Sequence, residues 1–80
     1  MKNEYANLLL LILDLRKKGI LKIHNLGEDT VTEIDCVITD RCVGFICYNY
    51  EMMFLQLMKK YSLVCTIDEF MGRVLYIISL

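Results

Sequence analysis

Cysteine and histidine are the side chains best suited to chemistry in this chain, and they are few: Cys36, Cys42, Cys47, Cys65 and His24. Thiolate and imidazole are the preferred ligands of zinc. A zinc site is usually announced by paired ligands at Cys-x-x-Cys or Cys-x-x-His spacing, and this sequence has no such pair. Nucleophilic use of a thiol needs an adjacent base. The alternation of the flanking segments predicts Cys36 and Cys47 on one face of a sheet and His24 on the other, so the only histidine has no cysteine beside it. Cys42, next to Arg41 at the mouth of a turn, is expected to be the most exposed thiol. Cys36 and Cys47 are expected as diagonal neighbours on adjacent strands. An even set of four cysteines would suit the disulfide framework of a secreted mini-protein. All four, however, lie in apolar, β-branched segments and read as small buried hydrophobes.

The carboxylates Glu28, Asp29, Glu33, Asp35 and Asp40 are the other concentrated group. They lack the Asp-x-Asp-x-Asp-Gly spacing of a calcium loop. Turn solvation accounts for Glu28, Asp29 and Asp40, and a cross-strand pair with Lys22 accounts for Glu33. No catalytic residue, metal site or cofactor is expected, and the chain reads as non-enzymatic.

The formal net charge of -1 gives no electrostatic surplus for phosphates or anionic lipid. A nucleic-acid-binding domain is the alternative reading, and it would rest on a small basic patch of Arg16, Lys17, Lys18 and Lys22. The apolar run Leu8 to Leu13 fails as an export signal or membrane span. Glu4 stands where a basic region belongs, Asp14 ends the run, and the run is far too short to cross a bilayer. A cytoplasmic location is expected.

Eighty residues make one domain, residues 1–80, and 56% of them are apolar. Soluble chains average roughly 45 to 50 percent, and a domain this small buries a limited share of its surface. Some of the excess is expected in an interface, and a homodimer hides it with a single self-complementary patch.

The elements follow from periodicity. Asn3 to Lys18 reads as a helix ending in Arg16, Lys17 and Lys18 before Gly19. Asn3, Asn7, Asp14 and Lys18 share one polar stripe, and the rest of the helix is almost entirely apolar. From Ile20 the period becomes two. A hairpin through Leu26 to Asp29 would set Leu21 opposite Ile34 and Lys22 opposite Glu33. A second, centred between Asp40 and Arg41, would pair Ile38 with Val43, Cys36 with Phe45 and Ile34 with Cys47. Asn49 reads as the cap of a second helix, Tyr50 to Tyr61. Leu63 to Ile67 and Arg73 to Leu80 read as strands around an Asp68-to-Gly72 connection, with Asp68 as a helix cap the alternative. The last strand is apolar on both faces and belongs inside a sheet.

The expected fold is therefore a two-layer α+β domain of order α-β-β-β-α-β-β with a mainly antiparallel sheet. The first five elements resemble a double-stranded-RNA-binding domain in order alone. That fold grips phosphate with lysines at the start of its second helix, where this chain has Asn49, Tyr50 and Glu51. The function expected is a self-associating protein-interaction module that regulates or inhibits another protein. Partner contacts are expected at Leu10, Leu11, Met52, Leu55, Leu75 and Ile77. A charge at Met52 or Leu55 should disturb association more than folding. A third possibility is a small-ligand pocket beside Gly44, where the missing side chain leaves room opposite Val37. The usage of Ile, Lys, Asn and Tyr fits an AT-rich bacterial, phage or archaeal-virus source.

Overall fold

The structure, a computed structural model, describes residues 3–23 and 33–80. Its elements are α1 (Asn3–Lys17), β1 (Leu21–Ile23), β2 (Ile34–Ile38), β3 (Cys42–Cys47), α2 (Glu51–Lys60), β4 (Thr66–Phe70) and β5 (Arg73–Ser79). The strands form one sheet in the order β1-β2-β3-β5-β4. The fold is the α+β arrangement expected, with both helices packed on the same face of the sheet. His24 and the turn placed at Leu26 to Asp29 lie outside the described residues.

Both helices stop in the same way. After α1, Gly19 takes a positive φ of 72°. Its N–H donates to the Arg16 carbonyl at 3.0 Å, and the Ile20 N–H donates to the Leu15 carbonyl at 3.3 Å. After α2, Ser62 takes a φ of 54°. Its N–H donates to Lys59 at 3.1 Å, and Leu63 donates to Met58 at 2.9 Å. This is the Schellman closure, in which an apolar residue beyond the turn packs back on the last helical turn. Leu15, Met58 and Leu63 are buried in the core, and Ile20 packs against it. Leu63 thus ends a helix and does not begin a strand, so β4 starts at Thr66 and not at Leu63.

The start of α2 also differs from expectation. Tyr50, not Asn49, is the capping residue; it holds φ 59° and ψ 27° and makes no side-chain cap bond. The Asn49 carboxamide oxygen instead accepts the Tyr50 N–H at 2.8 Å. Asp68 caps no helix either, since it lies within β4 and accepts the N–H of Glu69 at 2.7 Å.

The hairpin of β2 and β3 has the register expected: Ile34 faces Cys47, Cys36 faces Phe45 and Ile38 faces Val43. Thr39 secures its turn, its hydroxyl oxygen accepting the N–H of Arg41 at 3.2 Å and of Cys42 at 3.0 Å. The hairpin expected between β1 and β2 is not formed, because these strands run parallel. Leu21 still faces Ile34, but Lys22 faces Asp35 and not Glu33. Alternation assigns each residue to a face and is blind to strand direction, so the apolar pattern satisfies either arrangement. The β4–β5 hairpin turns tightly on Met71 and Gly72, both at positive φ (52° and 78°), as a type I′ turn requires.

The core lies between the helices and one face of the sheet. Phe54 of α2 sits between Phe45 of β3 and Tyr76 of β5, with ring centroids 5.1 Å and 5.3 Å apart. From α1 come Leu8, Leu11 and Leu15. Leu11 is fully buried there and has no surface for a partner, which corrects its assignment as a contact residue. The outer face of α1 leaves Leu9, Leu10 and Leu13 exposed.

Candidate functional site

Residues that face the helices on each strand alternate with residues that face the other way; no described helix covers the face formed by the second set, on which Ile46 is buried and Val37 exposed. Val37 pairs with Gly44, Gly44 with Ile77, and Asp68 with Leu75 across β2, β3, β5 and β4. Each pair shares that face. The result is a groove of about 270 Å³ with Gly44 as its floor and Val37, Ile46, Phe70, Leu75 and Ile77 as its walls. Gly44 has no positive φ, so its backbone does not call for glycine. Space is tight without forbidding a larger residue: a Cβ there would stand 3.2 Å from Leu75 Cδ1, the free end of a side chain. The opening anticipated beside Gly44 and opposite Val37 is this groove.

The two ends of the face are polar. At one, Thr39 and Cys42 border the groove. The Thr39 hydroxyl is already committed to its own turn, donating to the Cys42 carbonyl at 3.0 Å. At the other, the Arg73 guanidinium stands 4.3 Å from the centre of the Tyr48 ring. Partial burial, and then a hydrogen bond with Asp35, raise the Tyr48 phenol above its ordinary pKa. Between these ends the groove is lined by the apolar side chains of Val37, Ile46, Phe70, Leu75 and Ile77.

On the helix side, the buried Tyr76 hydroxyl donates to Glu51 Oε2 at 2.7 Å and ties β5 to the first turn of α2. Burial, and then this bond, push the Tyr76 phenol up to about 12. Burial also raises the Cys36 and Cys47 thiols to about 12, with the charge of Glu51 adding to the effect at Cys47. All four cysteines are free thiols. Among the described residues, no three His, Cys, Asp or Glu side chains gather as metal ligands would. No helix among them is long and apolar enough to cross a membrane.

Of the expected contact residues, Leu75 and Ile77 line the groove. Met52 and Leu55 are exposed on α2, away from it, and Leu10 is exposed on α1. The four cations of the alternative reading are divided. Arg16, Lys17 and Lys18 are exposed at the end of α1, while Lys22 lies on the open sheet face opposite Asp35. Sequence reasoning missed Ile46 and Phe70 as groove walls. Ile46 carried a signal, being two residues from Gly44 and therefore on the same face. Phe70 carries none, since the sequence pattern places it in the Asp68-to-Gly72 connection.

Comparison with protein-family models, with curated proteins and with solved structures finds no match to this chain.

Proposed function

We propose that this chain is a non-enzymatic, cytoplasmic interaction module that pairs with a second copy of itself through the open face of its sheet and regulates or inhibits another protein. The observation that carries this reading is the groove around Gly44, an apolar depression walled by Val37, Phe70, Leu75 and Ile77 on a sheet face that neither described helix covers. A sheet that buries one face against its own helices commonly presents a polar face to water on the other. Here the second face is apolar through its centre, as a surface destined for another sheet would be. The apolar fraction of 56% agrees with it.

A small apolar ligand is the competing occupant. Ligand pockets generally enclose most of the ligand and orient it with a few placed polar groups. This groove is open along the sheet, and its nearest hydroxyl, on Thr39, is engaged in a turn. The non-enzymatic reading is supported by two thiols that burial keeps protonated near neutral pH. The division of Arg16, Lys17 and Lys18 from Lys22 weighs against a single nucleic-acid patch.

Two substitutions test the assignment. Val37 is exposed, so Val37→Asp puts a charge in the groove at little cost to the monomer's fold. It is expected to abolish association while leaving circular dichroism unchanged. Met52→Asp, on the exposed side of α2, is expected to leave association intact. The reverse pattern would move the interface to the helices and overturn the reading.

A further inference from the structure

The last turns of α1 and α2 bring Arg16, Lys17, Lys59 and Lys60 to one end of the molecule, and Lys18 follows directly. These five are over half of the nine Lys and Arg residues in the chain. Asp14 holds the two helix ends together. It pairs with Lys18 on its own helix and accepts a 2.8 Å hydrogen bond from the Tyr61 hydroxyl at the end of α2. Two helix C-termini supply about one negative charge between them, and Asp14 supplies another. About three of the five cations therefore have no negative charge to answer them in this part of the described structure, although Lys60 lies over the Tyr61 ring, 5.2 Å from its centre. Beside them runs a groove of about 410 Å³ lined by Leu10 and Leu13, by Lys17, Lys18 and Lys60, and by the linked pair Asp14 and Tyr61. Leu9, Leu10 and Leu13 are each about half exposed, at 55%, 48% and 52%.

We infer that this basic end and the leucine face of α1 dock an acidic amphipathic helix of the regulated protein. Such a helix lays leucine-type residues at i, i+3, i+4 and i+7 against Leu9, Leu10 and Leu13. Lying antiparallel to α1, it brings its own first turn over Lys17 and Lys60. Carboxylates in that turn meet the surplus cations, and the positive end of the helix dipole favours carboxylates at the same position. An anionic membrane is a poorer fit, because interfacial helices carry Lys and Arg along the polar face opposite their apolar one, and the described cations of α1 stand only at its end. The inference deepens the proposed function, since it rests on the chain being a protein-interaction module. The surface is nonetheless on the helix side, across the molecule from the sheet groove.

The test uses the full chain and a stapled amphipathic peptide of about 16 residues, with Glu in its first turn and Leu at the helical spacing above. A matched peptide carries Lys for Glu. Anisotropy is expected to show binding of the acidic peptide only, weakened at least about tenfold by Lys17→Glu with Lys60→Glu or by raised salt. Leu13→Gln is expected to weaken it as well. Failure of the acidic peptide to bind, or equal binding of both peptides, would overturn the inference. So would phosphatidylglycerol vesicles or a single-stranded oligonucleotide binding in a Lys17- and Lys60-dependent way when the peptide does not. Sedimentation of the same variants separates this from the sheet-face reading: the double Glu variant should still self-associate, and Val37→Asp should still bind the peptide.

Discussion

Replacing Gly44 with alanine separates folding from association with a single methyl group. The added Cβ stands 3.2 Å from Leu75 Cδ1 and 4.0 Å from its Cγ. Leu75 is half-buried, and the atom it presents is the free end of a side chain, which yields by a few tenths of an ångström. The unfolded chain loses freedom at the same time, a gain of about 0.4 to 1 kcal/mol for the folded state. Folding stability of the monomer is therefore expected to change by less than about 1 kcal/mol. Association is affected differently. A methyl group forced into a packed interface costs about 1 to 3 kcal/mol, or roughly a five- to 150-fold rise in Kd. Both protomers carry the substitution. Urea denaturation of dilute protein measures the first quantity, and a sedimentation-velocity concentration series measures the second. A Kd unchanged within about twofold, at unchanged monomer stability, would refute the placement of the interface in this groove.

Met71→Asn places the Asn-Gly pair that a type I′ turn favours at a position that now strains an exposed side chain at φ 52°. It is expected to stabilise the protein by about 0.5 to 1 kcal/mol, which for a chain of this size raises Tm by a few degrees; a lower Tm would contradict the turn geometry. Hydrogen bonds from Lys18 and then Tyr61 hold the Asp14 carboxyl below its ordinary value of 3.8. The stability it adds is thus complete above that value and lost as pH falls through the lowered one. Asp14→Asn should flatten the acid limb of a Tm-against-pH curve, and an unchanged limb would rule out the Asp14–Tyr61 link between the helices. Cys36 and Cys47, with pKa values of about 12, should resist alkylation at pH 8 until the protein unfolds. Cys42 should react first, and equal rates at all three would contradict the burial described.

Much of the fold was legible because the core pattern repeats across turns. Ile34, Cys36, Ile38, Val43, Phe45 and Cys47 fix one register, and a one-residue slip would expose the whole set. Strand direction was not legible between β1 and β2, since Leu21 beside Ile34 satisfies the core whichever way the chain runs. The extent of the last hairpin was hidden by Met71, a residue with no turn preference that nonetheless takes a positive φ. The groove was half legible. Gly44, Leu75 and Ile77 were noted separately, and only the pairing of β3 with β5 brings them together. Leu11 was misplaced because a helix that is apolar nearly all round gives no phase, so its buried stripe could not be told from its exposed one.

Sedimentation velocity of the unmodified chain over a concentration series is the most direct test of the central claim. The open sheet face predicts a reversible shift from monomer to dimer at micromolar concentration, with a mass of twice 9.4 kDa at the upper limit. A well-folded chain that stays a 9.4 kDa monomer throughout the series would contradict it.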